Sequence, residues 1–306
     1  MNSTSEAIRP PSGGQEELRI LAERIAREAG ATALNLRRAG VSLLGSKSSP
    51  EDVVTVADQE TEKLIRQMLA QTRPNDAVLG EEGGSTAGSS GLTWIVDPID
   101  GTVNYLYDIP AWAVSIAVVE GDPDPASWTL LAGAVEVPSL GETYTASQGG
   151  GTTLNGQPIK VREAPELALS LLATGFTYSA ERRVGQARVL NGLIASVRDI
   201  RRSGSAALDL CSVAAGRVNA YYESFVNPWD HAAGSLIARE AGAIVGGFDG
   251  AAENHDLIIA AAPGTYAHLE DALRPLYKAS ADLLGNPGAK TGPGQPRPGK
   301  EEIHPQ

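Results

Sequence analysis

Asp97 and Asp100 stand at the end of an apolar run, Trp94-Ile95-Val96, separated by only Pro98 and Ile99. A strand that delivers two carboxylates to one edge supplies either an acid–base pair or the donors of a divalent-cation site. Pro98 fixes its own φ and biases Asp97 toward extended backbone, so a sharp turn is expected that converges both carboxylates and the Ile99 carbonyl on one point. Gly101 and Thr102 follow, and a helix or turn beginning there would present backbone N–H groups to phosphate oxygens. An isolated Asp-Pro-x-Asp-Gly string is equally a turn and a helix cap. Two further acidic ends change that balance. Leu79-Gly80-Glu81-Glu82-Gly83 is another short apolar strand running into acids, and Asn227-Pro228-Trp229-Asp230 places one more at the start of an Ala/Gly-rich helix. Carboxylates ~4 Å apart repel by roughly 4 kcal/mol at an effective dielectric of ~20, so converging Glu81, Asp97, Asp100 and Asp230 requires cations. All-oxygen ligands favour magnesium over zinc.

The rest of the composition narrows the chemistry. Cys211 is the single cysteine, which rules out an internal disulfide and a cysteine-built zinc site. A formal net charge of −12 disfavours nucleic acid and anionic lipid, which are held by clustered Lys and Arg. The same charge would repel an anionic substrate unless a bound cation reverses the local field. No apolar run approaches the ~20 residues of a membrane span, and the opening MNSTSEAIRPPSGGQEEL lacks the regions of a signal peptide. A soluble cytoplasmic protein is expected.

These acids need elements to hold them. Apolar periodicity predicts helices over 16–38 and 59–69. β-branched runs predict strands of one sheet at 77–79, 94–96, 113–119, 130–137 and 142–146, with a tight turn at Asn155-Gly156. A second αβ portion follows: strands at 171–173, 221–223 and 257–261, and helices over 181–196, 205–215, 230–241 and 266–277. Residues 1–14 and 281–306, rich in Gly, Pro and polar residues, read as disordered tails around a domain of two fused αβ lobes over 15–280.

With these motifs in order, the chain resembles an inositol monophosphatase across residues 16–277. The strings that carry the likeness are KSSPEDVVTVAD (47–58), GEEGG (80–84), WIVDPIDGTVNY (94–105), GSAALDLCSVAAGRVNAYYE (204–223) and NPWDHAAG (227–234). The resemblance implies an α/β fold, a layered αβαβα sandwich, usually a homodimer, and a lithium-sensitive, Mg2+-dependent phosphomonoesterase acting on a small phosphate ester. It implies that Glu81, Asp97 and the Ile99 carbonyl hold one magnesium and Asp97, Asp100 and Asp230 a second. A third, weaker ion would lean on Glu81, giving two to three ions per site. Thr102 and Asp58 would activate the water, with Glu81 beside them. The substrate would meet Asp100, Gly101, Thr102, Gly204, Ser205 and Asp230, with Glu223 on its ring hydroxyls.

Inositol 1-phosphate is the substrate this pattern favours. Histidinol phosphate, fructose 1,6-bisphosphate and adenosine 3',5'-bisphosphate are alternatives with the same chemistry, and a non-enzymatic regulator on the same fold is a second alternative. Plainer roles stand beside several of these residues. Asp58 would cap a helix starting at Gln59, Ser205 would be an N-cap, Lys47 a solvated charge and Glu82 a structural acid next to Glu81. His231 is expected on a helix surface, Cys211 in the core, and Trp229 packed behind the metal site.

Overall fold

The computed structural model describes residues 13–46, 53–162 and 166–284. The first half of the chain comprises α1 (Gly13–Ala39), the antiparallel pair β1 (Leu43–Ser46) and β2 (Val53–Thr55), α2 (Val56–Thr72), β3 (Ala77–Gly80), β4 (Gly84–Thr86), β5 (Leu92–Asp100), α3 (Thr102–Leu106), β6 (Ala113–Glu120), β7 (Thr129–Val137), β8 (Glu142–Ser147), β9 (Gly151–Leu154) and β10 (Gln157–Pro158). The second half comprises β11 (Leu171–Thr174), α4 (Ala180–Leu193), β12 (Asp199–Arg201), α5 (Ala206–Ala214), β13 (Ala220–Glu223), α6 (Pro228–Glu240), β14 (Ile244–Gly246), β15 (Ile258–Ala261), α7 (Pro263–Ala279) and α8 (Ala281–Leu284).

The strands form an eight-stranded sheet, β10-β9-β8-β7-β6-β5-β3-β4, and a five-stranded sheet, β12-β11-β13-β15-β14. One face of the larger sheet is covered by α1 and α2. Leu18, Ala22, Ile25, Ala26 and Ala29 of α1 follow the helical period and pack with Ile65 and Leu69 of α2 on Trp94, Val96, Val114 and Ile116. The other face packs on α5 and α6 through Ala207, Leu208, Cys211, Ala233 and Leu236. Those two helices also meet the smaller sheet, where Leu210, Val213 and Ala238 join Tyr221, Ile258 and Ala260. The outer face of that sheet is closed by α4 and α7 through Val189, Leu193, Leu269 and Leu273. The result is the αβαβα sandwich, and the middle helices are apolar all round because a sheet lies on each side.

Most element types read from periodicity are present, several with longer ends and α4, α5 and β15 with shorter ones. β5 runs through Asp100 rather than turning at Pro98: the register shifts between Asp97, opposite Ser115, and Asp100, opposite Ala113. Pro98 thus sits in a bulge, where its missing N–H costs the ladder nothing. The sharp turn comes at Gly101, whose φ of 98° is the left-handed region. Helix α1 begins at Gly13, and α8 carries buried Leu284 into the outer core, so residues 13–14 and 281–284, read as parts of the tails, are helical. Residues 1–12 and 285–306 lie outside the described residues, as does Lys47. β1, β2, β4, β12 and β14 have no counterpart among the predicted strands: at three or four residues there is no period to read, and strands as short as β3 and β11 are found from apolar content alone.

Candidate active site

β3 and β5 are the one parallel pair in the larger sheet, which is otherwise antiparallel. Parallel neighbours end at the same edge. Gly80 lies opposite Val96, so Glu81 and Asp97 leave their strands side by side, and the Glu81 N–H still donates to the Val96 carbonyl at 3.3 Å. The bulge then brings Asp100 back to that edge. The Asp97 carboxylate accepts from the Ile99 N–H at 3.0 Å, which folds it over the bulge.

The turn at 81–83 is held from beneath by a residue that sequence reasoning missed. Glu62, buried in α2, accepts from the N–H groups of Glu82 at 2.7 Å and Gly83 at 2.8 Å while paired with Arg66 at 2.7 Å. From sequence the pair is indistinguishable from a surface i,i+4 ion pair. Only the glycines at 80 and 83, where a side chain would strike the Glu62 carboxylate, could have signalled it.

Asp58 is buried and sits at the third position of α2, not before it; Thr55 is the N-cap. One Asp58 oxygen closes a capping box, accepting from the Thr55 N–H at 2.8 Å and hydroxyl at 2.5 Å. The other accepts from the Thr102 hydroxyl at 3.0 Å, and the Ile99 carbonyl lies 3.1 Å from that hydroxyl. The same device recurs at α6. Asp230 is at the third position, and one of its oxygens accepts from the Asn227 N–H at 2.6 Å. A capping box fixes one carboxylate oxygen and leaves the other aimed along a set direction.

The smaller sheet supplies the facing wall. β12, β11 and β13 are parallel, so the segments after them leave from one edge, the usual place for a ligand site in such sheets. They contribute Gly175 to Tyr178, Arg202 to Ala206, and Glu223 to Asn227. Ser205 caps α5, accepting from the Leu208 N–H at 3.2 Å, and its hydroxyl donates to Asp100 at 2.7 Å alongside the Ala207 N–H at 2.7 Å. Glu223 accepts from the Tyr221 hydroxyl at 2.9 Å.

Between the walls lies a cavity of about 530 Å³. Glu81, Asp97, Ile99, Asp100, Gly101, Thr102, Gly204, Ser205, Glu223 and Asp230 all line it, and Asp58 stands behind Thr102. Among the described residues on its surface, Arg202 carries the only positive charge. Burial raises Asp100 to about 6 against the restraining Ser205 hydroxyl and Ala207 and Ala206 amides. It raises Asp230 well above the carboxylate range, assisted by the charges of Glu81 and Asp100, and Glu223 to about 7. Among the described residues no three His, Cys, Asp or Glu side chains are gathered closely enough to cage an ion as they stand. The donor set nonetheless suits an oxygen-preferring divalent cation: carboxylates crowded on one cavity, disfavoured in their charged form, with one arginine to offset them.

Two side chains depart from expectation. His231 is buried beneath the site, its ring 5.7 Å from that of Trp128, because α6 is covered on both sides; burial holds it near a pKa of about 3. Trp229 lines the cavity itself. Glu82 stands outside the cavity, in keeping with a structural acid next to Glu81. Cys211 is fully buried in the core, as expected.

A profile of the inositol monophosphatase family matches residues 14–279. The inositol-1-monophosphatase of Mycobacterium leprae (strain TN) is 44% identical over 285 residues, covering 86% of this chain and 96% of that one. A Pasteurella multocida (strain Pm70) protein named Nus factor SuhB is 36% identical over 262 residues, covering 83% and 95%. The solved structure of Mycobacterium tuberculosis SuhB superposes with a TM-score of 0.73 at 42% identity, over 87% of this chain and 98% of that one. The likeness runs from the first helix to the last long one, and it makes this chain a member of the inositol monophosphatase family.

Proposed function

We propose that the protein is a cytoplasmic, homodimeric, Mg2+-dependent phosphomonoesterase that hydrolyses inositol 1-phosphate to inositol and phosphate, with water as the attacking group. The observation that carries this reading is the convergence of Glu81, Asp97, Asp100 and Asp230 with the Thr102–Asp58 pair on one cavity. Two to three magnesium ions, held by Glu81, Asp97, the Ile99 carbonyl, Asp100 and Asp230, would supply positive charge that acidifies water and offsets charge on the departing alkoxide.

The chain's own groups do the rest. The Thr102 hydroxyl gives its hydrogen to Asp58, so its lone pairs face the cavity and accept from a water there. As that water is deprotonated, the hydroxyl passes a proton to Asp58, whose other oxygen is fixed by Thr55. Gly101 and Thr102 border the phosphate end of the cavity, and Gly204 and Ser205 its side. Glu223, oriented by Tyr221, accepts hydrogen bonds from two vicinal hydroxyls of the ring. A volume of about 530 Å³ suits a small polyol phosphate with its ions.

The test is hydrolysis of a panel of phosphate esters with and without Mg2+. Inositol 1-phosphate is expected to turn over best, with loss of activity in chelator and inhibition by lithium. Turnover unaffected by chelator would remove the proposal. Preference for histidinol phosphate or a bisphosphate would keep the chemistry and change the substrate. A second reading, a regulatory role independent of catalysis, draws on the name of the Pasteurella relative. It would be favoured by an Asp97→Asn protein that is inactive yet restores growth to a deletion strain.

A further inference from the structure

We propose that Asn104 is a positioning residue: its side-chain amide locks the two walls of the site together and thereby sets Ser205 on Asp100. Asn104 is buried at 6% exposure in α3, on the first wall, and it does not line the cavity. Its Nδ2 donates to the Ala111 carbonyl at 2.6 Å, within the first wall, and to the Ser203 carbonyl at 2.7 Å, on the second. Both amide hydrogens are thus spent on carbonyls from opposite sides. An aspartate has the same shape and no donor; a serine has one donor and too short a reach.

The backbone around the amide has been cleared for this contact. Gly101 (φ 98°) and Gly204 (φ 95°) face each other: a Cβ on Gly101 would lie 3.0 Å from the Gly204 carbonyl and 3.1 Å from that of Ala111, and one on Gly204 would collide with Arg202 Nη1 and lie 2.8 Å from Asn104 Nδ2. Two positive-φ glycines let the walls touch backbone to backbone. From Ser203 the consequence passes along a short path. The Ser203 hydroxyl donates to buried Asp209, Gly204 borders the cavity, and the Ser205 hydroxyl donates to Asp100 at 2.7 Å. With the Ser203 carbonyl released, the turn at 203–205 loses its tie to α3, and Asp100 loses one of the fixed donors that orient it toward the cavity, the Ser205 hydroxyl beside the Ala207 N–H.

The inference rests on the proposed function for the substrate and the Mg2+ used in its assays. Asn104→Asp and Asn104→Ala are expected to lower kcat on inositol 1-phosphate about 10- to 100-fold, the scale at which small misplacements act. They should also at least halve the rise in Tm that Mg2+ produces on metal-free protein. Leu269→Ala, buried in the outer layer away from the seam, should lower Tm while leaving kcat, KM and the Mg2+-induced rise unchanged. If the Asn104 variants do not fold, Gly204→Ala, whose added Cβ would meet both the Arg202 guanidinium and, at 2.8 Å, Asn104 Nδ2 and so displaces the turn, should give the same signature. Folded Asn104 variants that keep kcat and the Mg2+-induced rise within twofold of wild type would overturn the proposal, as would a kcat loss matched by Leu269→Ala at equal Tm. Absence of inositol 1-phosphate hydrolysis by the wild type would remove the functional reading alone, since the thermal measurement still decides the role of Asn104.

Discussion

The two walls of the cavity are built differently. The first is strand backbone: Glu81, Asp97 and Asp100 are fixed by a parallel strand pair and a bulge, with Asp58 locked in a capping box behind them. The second is a set of segments that follow three parallel strands, and beside Ser205, Glu223 and Asp230 it presents Phe176, Tyr178, Arg202 and Phe225. A wall whose side chains are set by main-chain ladders suits the steps every substrate shares. A wall of separate segments can change shape with little cost to the sheets, and it suits the choice of ester. Under the proposed function, catalysis falls to the first wall and selection to the second, with Asp230 as the exception that crosses over.

That exception yields the largest expected effect. Asp97→Asn and Asp230→Asn each remove a proposed anionic ligand, from opposite walls, and each should lower kcat/KM by about 10²–10⁴-fold, several kcal/mol at 1.36 kcal/mol per decade. Steady-state kinetics at saturating Mg2+ check this. A loss confined to Asp97 would place Asp230 with the selecting residues and sharpen the division between walls. Next in size, Thr102→Ala should reduce kcat about 100-fold with little change in KM, because the hydroxyl orients water rather than ester. A rise in KM alone would show that another group activates the water.

The selecting wall is tested by Glu223. Its carboxylate lies against Gly175, where any side chain would collide with it, and the Tyr221 hydroxyl turns it toward the cavity. Charge-assisted hydrogen bonds to two ring hydroxyls are worth roughly 1.5–3 kcal/mol, so Glu223→Gln should cost about 10- to 150-fold in kcat/KM for inositol 1-phosphate. Glycerol 2-phosphate is too short to span the cavity and should be hydrolysed nearly as before. Equal losses on both esters would make Glu223 part of the shared machinery and break the comparison.

The walls also differ in how far they could be read from sequence. The first wall is compressed into two strings, 80–84 and 94–102, in which strand, acids and glycine are contiguous, so local rules sufficed to name its residues. What escaped was how the chain turns: the bulge at Pro98 depends on the partner strand, and the support from Glu62 spans from α2 to a turn outside its own helix. On the second wall, Asp230 is legible as an acid at the start of an Ala/Gly-rich helix, whereas Glu223 and Ser205 are reached through family resemblance. Arg202, Tyr178 and Phe225 were not reached at all, because each ordinary residue acquires meaning only when three separate strand ends are brought to one edge. His231 was misplaced for a related reason: helical periodicity assigns one buried face, whereas a middle-layer helix has two.

The smallest expected effect asks whether the walls are held as one body only at the seam or also at the rim. Arg217, between α5 and β13, donates from both Nη atoms to Glu142 on β8, at 2.7 and 2.6 Å, and the Tyr144 hydroxyl adds a third bond at 2.8 Å. This fork joins the second half of the chain to the larger sheet away from the cavity. The Arg217 guanidinium holds the Glu142 carboxyl below its ordinary range. A depressed folded pKa contributes stability that is fully present above the unfolded value of about 4.3 and is lost as pH falls through the folded one. The side chains are 43% and 18% exposed, so solvent screens the pair and its worth is about 0.2–1 kcal/mol. Glu142→Gln should therefore lower Tm at pH 7 by no more than about 2–4 °C, and the gap from wild type should close below pH 4. Because the rim pair touches neither the 203–205 turn nor an acid of the cavity, kcat should not move. A kcat loss in Glu142→Gln would mean that wall alignment is shared between rim and seam, and the effect expected of Asn104 would shrink accordingly.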